Sequence, residues 1–147
     1  MKLFFKSLIL LLFLNGTTIL AAIDQHAQGL SLDVRMIGIW QGEYTEKDGA
    51  LKSWIQTRNE DGSYRIEFRF IELDGTIHRL TEEGKWWIDK GLFYEITPSW
   101  MTQPDAYQYH FQDNGCIAFL LVESYKSAED VGQYQFVECL SDSQPSI

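Results

Sequence analysis

The sequence predicts an all-β domain, an antiparallel up-and-down meander of about eight strands that closes on itself as a barrel. Three observations carry this. Tyr64, Ile66, Phe68 and Phe70 alternate with Arg65, Glu67 and Arg69 between Gly62 and Leu73, which is the period of a half-buried strand. Asp61-Gly62 and Asp74-Gly75 bound that stretch as tight-turn dipeptides, and comparable turn signals recur every roughly 8–14 residues. No helix of useful length fits between the strands, which excludes parallel βαβ units. A long meander gains by closing, because closure leaves no exposed edge.

Residues 1–22 precede that domain. Met1, Lys2 and Lys6 give a positive start, Leu8 to Leu14 is an unbroken apolar run, and Ala21-Ala22 suit a signal peptidase. This is the layout of a secretory signal peptide. The apolar run is short of the about 20 residues a membrane span needs. An uncleaved anchor is the alternative, because Ile19 or Leu20 is a mediocre residue three positions before the cut. No cysteine follows the run, which argues against a lipid-modified N-terminus.

Residues 23–35 form a leader. Overlapping its end, Leu30 to Met36 reads as a short helix or as an extended segment closing one end of the fold. The domain proper is 36–140. Gly38 to Thr45 is the first strand, with Trp40 and Tyr44 on one face, and Glu46 to Gly49 is its turn. Leu51 to Arg58 is the second, with Trp54 and Ile55 on opposite faces. In Thr76 to Asp89, Ile77 and Leu80 fall out of step; either Gly84 marks a bulge in one bent strand or there are two short strands. Leu92, Tyr94 and Ile96 share a face after the turn at Asp89-Lys90-Gly91. Pro98 to Pro104 breaks the pattern, and Tyr107, Tyr109 and Phe111 resume it within Ala106 to Gln112. Asp113-Asn114-Gly115 is a strong hairpin signal. Cys116–Ser124 and Val131–Leu140 make the last hairpin, and 141–147 is a polar tail.

Charge and cysteines narrow the function. Without Lys2 and Lys6 the chain keeps 10 basic against 21 acidic residues, a net charge of −11. Such a surface repels nucleic-acid backbones and anionic membranes. Neither nucleic-acid binding nor stable membrane insertion after signal cleavage is therefore expected, and the charge chiefly favours solubility. Cys116 and Cys139 are the only cysteines, and an exported chain meets oxidising conditions, so a disulfide is expected. A hairpin turning at Ser127-Ala128 sets Ser124 against Val131, and the same register sets Cys116 directly against Cys139. Cβ atoms at such positions are about 4.5–5.5 Å apart, within reach of a bridge.

Gly38-Ile39-Trp40 resembles the Gly-x-Trp that opens the first strand of lipocalins, just after a short lead-in segment. From there through Gly84-Lys85-Trp86 and Gly91-Leu92-Phe93-Tyr94 the chain is similar to small exported bacterial lipocalin-like domains. The resemblance covers roughly residues 36 to 140 and implies a β-barrel of ligand-binding ancestry, without transferring a ligand or a site. The chain departs from the pattern in one respect. Lipocalins usually place an arginine near the end of the last strand, over that tryptophan, and Tyr134 to Leu140 holds neither Arg nor Lys. Arg35 is the candidate substitute, from the other end of the chain.

The candidate ligand-binding residues are Trp40, Trp54, Tyr64, Phe68, Trp86 and Tyr94 on strands, with Trp100 and Met101 between two prolines, where a mere connector would be polar. An eight-stranded barrel encloses only enough space for side chains or one small ligand. These rings therefore either fill the interior or line an apolar pocket oriented by tyrosine hydroxyls. The loop either lids the mouth, meets a partner or plugs the core. His26, His78 and His110 are too scattered for a metal, which needs three or four convergent ligands. Glu82, Glu83 and Asp89 read as a solvated rim, and no catalytic motif is present. The expected function is non-covalent binding of a small apolar or amphipathic molecule by an exported, periplasmic or secreted, non-enzymatic domain without cofactor or metal. The alternative is a structural or protein-interaction module with a solid aromatic core. A polar cluster inside the barrel, with His78 or His110 beside a carboxylate, would instead favour an enzyme.

Overall fold

The computed structural model describes residues 31–125 and 128–141. The expected signal peptide, the expected leader up to residue 30, Ser127 of the expected turn and the tail beyond residue 141 lie outside the described residues. Eight strands follow in order: β1 Gly38–Thr45, β2 Leu51–Arg58, β3 Ser63–Ile71, β4 Ile77–Asp89, β5 Leu92–Ile96, β6 Asp105–Phe111, β7 Cys116–Glu123 and β8 Gln135–Leu140. Each pairs antiparallel with the next, and β8 returns to β1 to close the barrel. The closing seam is short, with Trp40, Gln41 and Gly42 opposite Leu140, Cys139 and Glu138.

Alternation decides the faces. β3 turns Tyr64 and Ile66 fully inward and Phe68 and Phe70 inward towards one end. Its outward Arg65 pairs with Glu83 of β4 at 2.9 Å. Gly62 and Gly75 end the flanking turns at φ 75° and 85°, a region where a side chain would be strained. In β6 a register shift between Ala106 and Tyr107 buries two consecutive residues instead of one.

The region 77–89 is one strand, which settles the count at eight. It carries no bulge at Gly84: the register with β3 runs unbroken from Ile71↔Ile77 to Ser63↔Lys85. Gly84 is there for a different reason. A Cβ at this position would collide with the Ile96 carbonyl oxygen and meet the Tyr64 ring at 2.7 Å, so the missing side chain lets β4 pass from β3 to β5 over that ring.

The last hairpin keeps the expected register but not the expected length. Cys116 faces Cys139 and is disulfide-bonded to it. However, β8 begins at Gln135 rather than Val131. The intervening residues fold into their own turn, in which Asp130 O accepts from Gln133 N and Tyr134 N and Gly132 N donates to Leu121 O.

One end of the barrel is sealed. The lead-in forms a single 3-10 turn, Val34–Met36, capped by Asp33. Its Met36 is wholly buried, and Ser31 O accepts from Ile88 N. Trp40, Trp86, Phe93, Ile117 and Phe119 fill the interior above it. The four longer connections, 46–50, 72–76, 97–104 and 124–134, all gather at the opposite end.

Candidate functional site

The inward positions of β2 set the character of the interior. Trp54, Gln56 and Arg58 are in phase along one strand and all are buried. Glu138 of β8 lies across from them, also buried. Arg58 Nη2 donates to Glu138 Oε2 at 2.6 Å and to Gln56 Oε1 at 2.7 Å. Trp54 Nε1 donates to the other Glu138 oxygen at 2.7 Å. Among the described residues, Arg58 Nε and Nη1 find no hydrogen-bond acceptor. Aromatic rings surround the guanidinium instead, with Phe93, Phe119 and Trp40 centroids 4.9, 5.6 and 5.9 Å from Cζ.

Arg58 is thus the cation over Trp40, and the substitute expected from Arg35 is not made. Arg35 is exposed, bound to Asp33 at 2.6 Å and laid over the Phe111 ring. The Trp40 indole donates to Met36 O at 2.8 Å, tying the first strand to the lead-in turn.

Above this floor the barrel is not filled. A cavity of about 730 Å³ opens among the longer loops. Trp54, Tyr64, Phe68, Phe70, Tyr134 and Phe136 line its walls. Met101 folds into its mouth, 7% exposed, with its Sδ accepting from Thr97 N. Trp100 is 42% exposed at the rim, edge-on to Tyr125.

Of the residues singled out from the sequence, Trp54, Tyr64, Phe68, Trp100 and Met101 therefore meet at the cavity. Trp40 and Trp86 belong to the solid sealed end. Tyr94 does not point inward at all. Its neighbour Phe93 takes the interior place, and Tyr94 stacks on Trp87 across β4 and β5 on the outer surface, with ring planes 3° apart. β5 is only five residues long, and apolar residues occupy both of its phases, so period two alone could not assign its faces.

The sequence reading missed or misplaced several cavity-lining side chains. Glu95 of β5 lines the cavity, accepting long hydrogen bonds from Gln56 Nε2 at 3.4 Å and Tyr107 Oη at 3.5 Å. Burial, then the charges of Glu138 and Asp105, push its carboxyl up to about 7 against the pull of Arg58 and Gln56. Glu82 is not on a solvated rim: it lines the cavity and accepts from Thr97 Oγ1 at 3.2 Å, while Thr97 also bonds the Tyr64 hydroxyl at 2.7 Å. Burial raises the Tyr64, Tyr107 and Tyr134 hydroxyls above the ordinary tyrosine range, so they stay protonated donors. The usable signal was polar residues in phase with inward rings, namely Gln56 and Arg58 with Trp54, Glu95 with Phe93, and Glu138 with Phe136.

Neither histidine on a strand joins this polar cluster. His78 is largely exposed, 3.9 Å from Glu72, and His110 is exposed on β6. Glu83 is engaged by Arg65 on the outer surface, and Asp89 is exposed beside the turn at the sealed end. Compared with known proteins, the chain matches no family model and no curated protein.

Proposed function

We propose that this chain is an exported lipocalin-like barrel that holds a small apolar or amphipathic molecule, without covalent attachment, in the cavity at its open end. The observation that supports this is the contrast between the two ends. A domain built only for rigidity would be filled throughout. This one is packed solid around Trp40, Trp86 and Phe93, yet leaves about 730 Å³ between aromatic walls. That volume lies within the range of small-molecule sites, and aromatic rings share its lining with polar and charged groups that could orient a ligand. The competing reading, a solid interaction module, requires the space to be occupied by side chains.

Export is supported by the composition of residues 1–22 and by the Cys116–Cys139 bridge, which persists outside the reducing cytoplasm. No helix among the described residues is long and apolar enough to cross a membrane.

The test is binding of a neutral, apolar fluorescent diarylamine, N-phenylnaphthylamine, which is too weakly basic to carry charge near neutral pH, together with native mass spectrometry of the protein as purified. A saturable one-to-one complex is expected. Trp100→Ala should weaken it about 3- to 10-fold, in keeping with a rim aromatic of about 1 kcal/mol. A protein that carries nothing in native spectra and takes up no probe would refute the reading.

A further inference from the structure

We infer that the molecule this cavity takes carries a positively charged amine, held by the Glu95 carboxylate while its apolar part lies against the aromatic walls. The inference rests on the binding function proposed above and names the class of ligand.

Charge within the cavity points one way. Eight acidic side chains line it against two lysines. Lys47 sits 4.0 Å from Asp130 at the mouth, and Lys52 lies over the Phe68 ring, 4.5 Å from its centroid. A recess lined mainly by one sign of charge concentrates ligands of the other sign.

Two acids that face the interior, the buried Glu138 and the half-buried Glu95, are treated differently. Glu138 has a full partner set in Arg58 and Trp54. Glu95 lies in the same interior, and among the described residues no Lys, Arg or His forms an ion pair with it. Its two hydrogen bonds are both at the long limit, and an ionised carboxylate accepts about four. Burying such a group costs free energy that a cation would return. An ammonium there would also face the rings that flank the site, gaining cation–π attraction. A bare metal ion fits less well, since no group of three or more His, Cys, Asp or Glu among the described residues converges to hold one.

Proton linkage gives an independent signature. The groups facing Glu95 are Gln56 and Arg58 from β2, Tyr64 from β3, Asp105 and Tyr107 from β6, Glu138 from β8, and Tyr134 beside it. The carboxyl binds a proton up to about 7 in the free protein. A bound ammonium favours the ionised form, so amine binding expels that proton and strengthens as pH rises from 6 to 8, by about tenfold.

The experiment is calorimetric titration of the intact, disulfide-bonded protein with octylammonium, 1-octanol and octanoate at pH 6 and pH 8. Octylammonium should bind about tenfold tighter than octanol at pH 8 and lose that advantage at pH 6. Glu95→Gln should bring the amine-to-alcohol ratio at pH 8 to near one. Equal affinities for amine and alcohol in the wild type would overturn the amine assignment and leave the binding function standing, as would octanoate binding tightest. Failure of all three ligands to bind would remove the function and this inference together. The wild-type series decides the matter alone, so a poorly folding variant does not blunt the test.

Discussion

Replacing Glu95 by Gln should stabilise the empty barrel at pH 8 and change little at pH 5. The folded carboxyl holds its proton to about 7, against an ordinary 4.5. Because the folded value is raised, protonation favours the fold. The contribution is full below the unfolded value, declines as pH climbs between 4.5 and about 7, and is gone above that. Each unit of that rise corresponds to about 1.36 kcal/mol, so the wild type loses about 2.5 kcal/mol from this group between pH 5 and pH 8. Glutamine has the same shape, keeps an acceptor for Gln56 and Tyr107, and cannot ionise. The advantage of the variant over the wild type should therefore be about 2.5 kcal/mol larger at pH 8 than at pH 5. The open cavity lends the carboxylate some solvent screening, which makes the figure an upper bound. Urea unfolding followed by tryptophan fluorescence at both pH values, with the disulfide intact, measures it directly. A gain of the same size at both pH values would refute the reasoning. A loss above 1 kcal/mol at pH 8 would do the same, since it would mean the carboxylate has a strong partner in the free protein.

Other perturbations follow from the same packing. Arg58→Met leaves the Glu138 carboxylate buried beside Trp54 alone and should cost about 3–5 kcal/mol in urea unfolding, whereas the double variant Arg58→Met/Glu138→Leu should recover most of that loss. Opening the Cys116–Cys139 bridge with paired serines releases a cross-link spanning a separation of 23 residues. The cost should be about 3 kcal/mol by loop entropy, read as a lower urea midpoint for the variant. Gly84→Ala should destabilise by about 1–3 kcal/mol, because its methyl meets Ile96 O and the Tyr64 ring, while alanine at the open turn residue Gly91 meets no atom and suffers only the strain of φ 79°.

Much of the fold was legible in the sequence because a meander is a local object. Each strand pairs with its sequence neighbour, so a period-two run bounded by Asp-Gly or Asn-Gly specifies both partner and register. That is why β1 and β2 fall where their patterns put them and why counting positions set Cys116 against Cys139. Legibility failed where local pattern and local hydrogen bonding disagree. The sequence reading starts the last strand at Val131, but Gly132 at φ 76° and the carbonyl of Asp130 hold this segment in a turn, so β8 starts later. Gly84 looked like a bulge because glycine in a strand marks either a bulge or a close approach, and only the Ile96 carbonyl and Tyr64 ring distinguish them.

The site was less legible because its chemistry depends on closure. Arg58 and Glu138 lie 80 residues apart and meet only when β8 returns to β1. From the sequence each is a charged residue near a strand end, a place where charge normally faces water. Gly42 shows how strongly the seam conditions the interior. A Cβ there would strike the Trp54 ring and lie 2.8 Å from Val137 O, so its absence lets the indole lie against the β1 backbone and reach Glu138. With Arg58 hydrogen-bonded to Glu138, Glu95 is left as a half-buried acid with no direct ion pair among the described residues, at the point where the solid floor gives way to the cavity. The free energy that a carboxylate loses by burial in that position is what a ligand could return, and this links the unequal packing of the two ends to the charge of what the open one would hold.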